Sequence, residues 1–241
     1  MRVLAIIPAR GGSKGFVNKN IKPFLGRPLI QWPILACLES NAIDNVFVTT
    51  DSVDIADAAN QLGDIAPFLR DSDLAQDTTT TEATLKHALK QYEQSFGTFD
   101  IVVFLTCTEI FRDVIWIDKC VEGVKSGNFD SVFVGNPTFK NFWESKEDGY
   151  SRFREDMAVH GNRQEKKPNF REDTGLCCAS KADFIRAGRR VGDMVDIVPN
   201  YSFPTNVDIH SEMDLSVAKL LFDLYLQYSP DVVDFYERHK L

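Results

Sequence analysis

The sequence predicts an α/β fold with a mainly parallel sheet and helices on both faces. Short apolar runs of strand length alternate along the chain with stretches of helical period, the pattern of repeated strand–helix units. Several runs are apolar at almost every position, as strands covered on both faces must be. The 241 residues are 44 % apolar and 26 % charged, enough for one sizeable core and against long-range disorder.

The first strand is placed at 3–8, where the run Val3 to Ile7 ends on Pro8. That run is too short for a signal-peptide core and no cleavage site follows it. Further strands are expected at 46–50, 101–105, 131–134, 176–179 and 196–199, all rich in Val, Ile and Phe or in small apolar residues. Helices are expected between them at 28–40, 54–62, 80–94, 114–126, 181–187 and 212–227. Pro28 suits a first helical turn, whereas Pro33 predicts a kink or a late start. Thr79 with Glu82, and Ser211 with Asp214, have the spacing of a capping box. The whole of 1–241 is read as a single domain.

Segment 136–173 departs from this pattern. It is dense in charge and poor in aliphatics, yet it carries Phe139, Phe142, Trp143, Tyr150, Phe153 and Phe170. A long irregular stretch in a compact domain is uncommon unless it is functional. The aromatics predict an arm that packs on another surface, a second subunit being one candidate.

The 27 basic residues against 35 acidic ones leave a net charge of −8. That argues against a bulk nucleic-acid binder, but not against a small anion held by a few cations in one cleft. No apolar run approaches the roughly 18–20 residues of a membrane span. Five cysteines, an odd number without a CxxC pair, argue against disulfide frameworks and zinc sites and for buried thiols. A cytoplasmic location is expected.

Chemistry is concentrated after the first strand, in Ile6-Ile7-Pro8-Ala9-Arg10-Gly11-Gly12-Ser13-Lys14-Gly15 with Lys19-Asn20 beyond. A glycine loop leaving a buried strand exposes N–H groups that can wrap an anion. Gly11, Gly12 and Gly15 are expected to allow close approach and positive φ. Arg10, Lys14 and Lys19 place three cations where open α/β sheets bind ligands. The spacing is neither that of a P-loop nor GxGxxG.

This run resembles the signature of the acylneuraminate cytidylyltransferases, the CMP–sialic acid synthetases and their relatives. The resemblance continues through Thr49 to Ser52, Pro67 to Arg70, Asp77 to Thr81 with His87 to Leu89, Leu105 to Arg112, Asn162 to Gln164 and Val207 to Leu215. It implies a Rossmann-like nucleotidyltransferase fold. It also implies a reaction in which the anomeric hydroxyl of a keto-sugar acid attacks the α-phosphorus of CTP and releases pyrophosphate. Ala9, Arg10, Gly11, Gly12, Ser13, Lys14, Lys19, Asn20, Arg70 and Thr81 would hold the nucleotide, with Arg10, Ser13, Lys14 and Lys19 on the phosphates. Thr106, Thr108, Arg112, Arg163, Gln164 and Arg171 would face the acceptor. Asp208 would hold Mg²⁺, or Mn²⁺, with His210 either ligating it or standing behind a water. The partners implied are CTP, a keto-sugar acid and a second copy of the chain, with 136–173 as the dimerisation and substrate arm.

Three departures fall on the acceptor or metal side. Thr106 and Cys107 stand where family members carry glutamine and proline. Asp173-Thr174-Gly175 replaces an asparagine–glycine pair, and His210 replaces the second acid of the metal motif. The acceptor is therefore expected to differ from N-acetylneuraminate in its substituents. An eight-carbon or phosphonate acceptor, or a nucleotide-binding protein without turnover, are the competing readings.

Overall fold

The computed structural model describes residues 1–12, 15–74, 76, 78–155, 162, 164, 166–202 and 207–241. In chain order the first half contains β1 (Val3–Pro8), β2 (Pro23–Phe24), β3 (Arg27–Pro28), α1 (Gln31–Glu39), β4 (Asn45–Thr49), α2 (Val53–Asn60), α3 (Thr81–Phe96), β5 (Ile101–Phe104) and α4 (Val114–Lys125). The second half contains β6 (Ser131–Thr138), β7 (Trp143–Lys146), β8 (Gly149–Arg152), β9 (Asn169–Glu172), β10 (Cys178–Lys181), α5 (Ala182–Arg186), β11 (Val195–Pro199), α6 (Glu212–Tyr228) and α7 (Pro230–His239).

The main sheet has the order β11-β6-β10-β5-β1-β4, with β9 added on β6. Strand β1 is parallel to both β4 and β5, and β11 is parallel to β6. Alternate side chains of β1 enter opposite halves of the core: Val3, Ala5 and Ile7 on one face, Leu4 and Ile6 on the other. The first face is covered by α1, α2, α4, α6 and α7, through residues such as Trp32, Ile55, Trp116, Phe222 and Tyr236. The second is covered by α3 and α5, through Leu85, Leu89 and Ile185. This is the mainly parallel, doubly covered sheet that the apolar runs predict.

Several local expectations shift. Helix α1 starts at Gln31, so Pro28 lies in the short β2–β3 hairpin and not in a first helical turn. Pro33 then falls on the third helical residue, where its missing N–H would have had no helical acceptor. The cap of α3 is Thr80, whose hydroxyl accepts from Ala83 N, not Thr79. The box at Ser211 and Asp214 is present as expected. The strand placed at 176–179 is β10, two residues later, and it runs antiparallel between β5 and β6. The segment 136–173 contains the end of β6, the hairpin β7–β8 and β9, which pairs with β6 through Gly135↔Glu172 to Thr138↔Asn169. Helix α7 lies beyond the last predicted helix. Its Tyr236 ring stands 5.0 Å from Trp32. All five cysteines are buried and unbridged, with Cys177 and Cys178 packing on opposite faces. Among the described residues no helix is long and apolar enough to cross a membrane.

Candidate active site

Strand β1 has its parallel neighbours on opposite sides, so a crevice opens at its carboxyl end between the loops that follow β1, β4 and β5. Ala9 N donates to Thr49 O at 3.0 Å, which carries the β1–β4 ladder one residue further. The chain then turns, and Gly11 N donates to Asp51 Oδ1 at 3.0 Å. A Cβ on Gly11 would lie 2.9 Å from Ser52 Cβ, so this approach of loop to strand end requires glycine. Gly12 and Gly15 are under no such constraint. A Cβ on Gly12 would meet nothing within 4 Å, and one on Gly15 only His210 O at 3.8 Å. None of the three has positive φ, so of the two reasons expected for these glycines only close approach applies, at Gly11.

Asn20 ties the loop down. Its Nδ2 donates to Arg10 O at 3.0 Å, while its own carbonyl accepts Ile30 N at 2.8 Å. Lys19 sits beside it on a single turn of 3₁₀ helix, Lys19–Ile21. Arg70 is buried, with its backbone N–H on Thr50 O at 2.7 Å and its guanidinium 3.7 Å from Asp51 Oδ1. Burial lowers the Arg70 pKa, Asp51 opposes that shift and Arg10 adds to it. Asp51 thus links the glycine loop to a buried cation.

These residues line a cavity of about 470 Å³, the size of a small-ligand site. Arg10, Lys19, Asn20, Arg70, Thr81, Thr106, Thr108 and His210 all face it. Eight sequence-predicted residues from six separate stretches of chain are thereby brought to one space. Ser13, Lys14 and Arg163 lie outside the described residues, as does Asp77.

The far wall is the loop after β5. The Thr106 hydroxyl donates to Gly175 O at 3.3 Å and accepts Glu109 N at 3.4 Å. Ile209 N donates to Thr108 O at 3.0 Å, and Glu109 faces Asp208 in an antiparallel bridge. This pairing brings the 207–210 segment to the cavity rim, where His210 Nε2 lies 2.9 Å from Asp208 Oδ2. Cys107 also faces the cavity, but burial pushes its thiol up to about 12, so it is no nucleophile. Glu109 is a residue the sequence reading missed. Its carboxyl packs over Gly175, where no side chain would fit, and its Oε2 is shielded without a hydrogen-bond partner among the described residues. Burial, then the charges of Asp208 and Asp173, raise its pKa to about 7.

Three residues expected at the acceptor lie off this cavity. Arg112 is 2 % exposed and does not reach the cavity. Its guanidinium donates to the carbonyls of Leu176, Thr106 (3.0 Å), Glu109 (3.2 Å) and Gly175 (2.8 Å), so it buttresses the loop from behind. Arg171 lines a different cleft, and its Nε donates to Asp173 Oδ1 at 2.7 Å. Gln164 is exposed and lies off the cavity. Asp173 and Thr174 are buried, and Asp173 Oδ2 accepts Asn136 N at 3.1 Å and Asn136 Nδ2 at 2.6 Å. Asp173 thereby holds the base of the arm.

Among the described residues no group of three His, Cys, Asp or Glu side chains could enclose a metal ion. Asp208, its carboxylate 40 % exposed beside His210, offers one oxygen donor group at the rim. That fits a hard cation that keeps several waters and takes its other ligands from bound phosphates.

A profile described as Cytidylyltransferase matches residues 4–168. The chain belongs to the cytidylyltransferase family. Among curated proteins, the CMP-N,N'-diacetyllegionaminic acid synthase of Legionella pneumophila is 30 % identical over 93 % of this chain and 97 % of its own. N-acylneuraminate cytidylyltransferase A of Danio rerio is 30 % identical over 96 % of this chain, which spans 54 % of that longer protein. Among solved structures, a CMP:2-keto-3-deoxy-manno-octonic acid synthetase complexed with CTP superposes with a TM-score of 0.67 at 14 % identity, covering 94 % of this chain and 100 % of that one. The 4-diphosphocytidyl-2C-methyl-D-erythritol synthase of Anaerococcus prevotii gives 0.63 at 16 %, covering 92 % and 98 %. This cytidylyltransferase therefore has the nucleotidyltransferase fold that the glycine-loop resemblance implies.

Proposed function

We propose that this cytidylyltransferase moves CMP from CTP to the anomeric hydroxyl of a nonulosonic, sialic-acid-like keto-sugar acid and releases pyrophosphate. The observation that carries the reading is the cavity at the carboxyl end of β1, where Arg10, Lys19 and Arg70 converge beside a glycine loop. Phosphoryl-type transfer needs charge neutralisation and alignment more than covalent chemistry. Arg10, Lys14 and Lys19 hold the triphosphate, with Gly12 and Ser13 lending backbone and hydroxyl donors, while Ala9 and Gly11, whose N–H groups are taken by Thr49 O and Asp51 Oδ1, shape the loop. Arg70, Asn20 and Thr81 hold the rest of the nucleotide or the loop that meets it. Thr106 and Thr108 form the wall that the acceptor meets.

A divalent cation, Mg²⁺ or Mn²⁺, would neutralise phosphate charge and lower the pKa of the attacking hydroxyl when bound. Asp208 would hold it, with His210 beside it. The chain works as one catalytic unit in the cytoplasm, and the arm 136–173 makes it a homodimer. The acceptor is a nonulosonic acid because the relatives that align over nearly the whole chain are named for legionaminic and acylneuraminic acids.

The test is pyrophosphate release from each nucleoside triphosphate with a panel of eight- and nine-carbon keto-sugar acids and a phosphonate. The expected result is turnover with CTP and a nine-carbon acid. Preference for an eight-carbon acid or a phosphonate refutes the acceptor class, and binding of CTP without turnover on any acid refutes the enzyme reading.

A further inference from the structure

Phe111 has a φ of +64°, in the left-handed region that a bulky residue rarely enters. Its ring is buried edge-on to Phe24, Tyr225 and Tyr236, at 6.2, 5.3 and 5.8 Å between centroids. A backbone held this way persists only where its surroundings over-determine it, and such places cluster at functional sites. Phe111 stands at the end of the loop that walls the cavity, and the next residue is Arg112.

Arg112 reaches back beneath that loop. Its guanidinium donates to the carbonyls of Thr106 and Glu109 on the wall and of Gly175 and Leu176 on the segment entering β10. Thr106 N donates to Gly175 O at 2.8 Å between the same two segments. One planar fork of donors thus fixes the spacing of two loops, which the point charge of a lysine cannot do. Arg112 is in turn held by helix α7. Its backbone N–H donates to Tyr236 Oη at 2.7 Å, across 124 residues of chain, and both residues are buried. Neither lines the cavity, whereas Thr106 and Thr108 do.

We infer that Arg112 and Tyr236 are positioning residues for the acceptor, a buried frame that sets where the Thr106–Thr108 wall stands. That role rests on the reading of this wall as the one the acceptor meets. The nucleotide side is held by other bonds, Gly11 N on Asp51 and Asn20 Nδ2 on Arg10 O. Loosening the frame therefore acts on the acceptor and spares CTP. A displacement of about 1 Å caused from outside the site can cost on the order of 100-fold in rate.

The experiment compares the full-length wild type with Tyr236→Phe, Arg112→Lys and Glu39→Gln. Tyr236→Phe keeps the ring and its packing and removes only the hydroxyl, so it carries the test if Arg112→Lys fails to fold. CTP affinity, measured by calorimetry without acceptor, is expected to be unchanged. With CTP saturating, N-acetylneuraminate and the other acids of the panel are each tried as acceptor. For the acid that wild type uses best, kcat/KM should fall at least about tenfold in Tyr236→Phe and further in Arg112→Lys. Amide hydrogen exchange across 105–112 should quicken in ligand-free Tyr236→Phe, while that of 3–11 stays as in wild type. Glu39→Gln loosens the same helix through Arg238 and His239 without touching the hydroxyl, and should leave acceptor kinetics unchanged. Wild-type acceptor kinetics or wild-type exchange in Tyr236→Phe overturns the inference and leaves the proposed reaction standing. So does an equal loss of CTP affinity, or an equal fall in Glu39→Gln, since either marks general loosening. A wild type that turns over no acid removes the proposed reaction and the inference together.

Discussion

The carboxylate of Asp51 accepts the backbone N–H of Gly11 at 3.0 Å. The same oxygen faces the buried Arg70 guanidinium at 3.7 Å. One acid at the end of β4 thus sets both the shape of the glycine loop and the charge of the cavity floor. Asp51→Ala is expected to destabilise the protein by roughly 3 kcal/mol, the scale for stranding a buried charge, and to raise the KM for CTP. Asp51→Asn keeps an acceptor for Gly11 N and loses only the charge, so it should restore part of the CTP affinity. Equal kinetics for the two variants would show that loop shape is not set by this bond.

Loss of a preorganised cation should cost far more in rate than in stability. Lys14→Ala and Arg10→Ala are each expected to lower turnover at least about 100-fold, with the unfolding transition unchanged. Retention of half the activity in Lys14→Ala would remove the triphosphate clamp from the account.

The Thr106 hydroxyl is already committed to Gly175 O and Glu109 N. It is also shorter than glutamine and lacks the amide that could donate and accept at once. N-acetylneuraminate is therefore expected to be a poorer substrate than another nonulosonic acid with different substituents. Thr106→Gln should raise relative kcat/KM for N-acetylneuraminate. A clear wild-type preference for N-acetylneuraminate over the whole panel contradicts this.

Asp208→Ala is expected to abolish turnover without moving the ligand-free unfolding curve. Imidazole suits Mn²⁺ better than Mg²⁺, which prefers oxygen. If water completes the site, Mg²⁺ supports the wild type and His210→Asp tightens its use of Mg²⁺. If His210 ligates directly, Mn²⁺ outperforms Mg²⁺. A metal titration in which His210→Asp changes neither dependence puts His210 outside the site.

Much of this architecture is legible in the sequence, and the exceptions have physical reasons. Strands β1, β4 and β5 are apolar on both faces, so their runs stand out from the flanking sequence. Strands β7 (WESK) and β8 (GYSR) are short and largely exposed on both sides, which leaves no alternation to read. Helix α7 does have a signal, Pro230 at its start and Val233, Phe235 and Tyr236 on one buried side, but it lies past the last long apolar period. The glycine loop and its cations are legible because they are contiguous. Asp51 and Glu109 act through strand order and a bridge across 99 residues of chain, Glu109↔Asp208, which spacing alone does not reveal. Arg112 shows the converse: a motif position gives residue type but not burial, and this arginine faces inward.

Stability at acid pH should report the joint between α1 and α7. Glu39 accepts from Arg238 at 2.7 Å and lies 2.9 Å from His239 Nε2. The Arg238 hydrogen bond chiefly holds the Glu39 carboxyl below its ordinary value. A depressed acid stabilises the fold above its unfolded pKa and loses that contribution as pH falls through the folded one. Wild type should therefore exceed Glu39→Gln by at most about 1 kcal/mol at neutral pH, since the pair is partly solvated. The gap should close as pH drops below about 4. Unfolding curves for both proteins from acid to neutral pH check it, and a gap that is constant with pH contradicts it.

The central claim, transfer of CMP from CTP onto a sugar hydroxyl, is tested most directly by following that oxygen. The keto-sugar acid that turns over is labelled with heavy oxygen at its anomeric hydroxyl and incubated with CTP and Mg²⁺, and both products are weighed by mass spectrometry. The label is expected in the CMP-sugar, in the bridge between sugar and phosphorus, with none in the pyrophosphate. Label in the pyrophosphate, or a CMP-sugar without it, would contradict attack of that hydroxyl on the α-phosphorus.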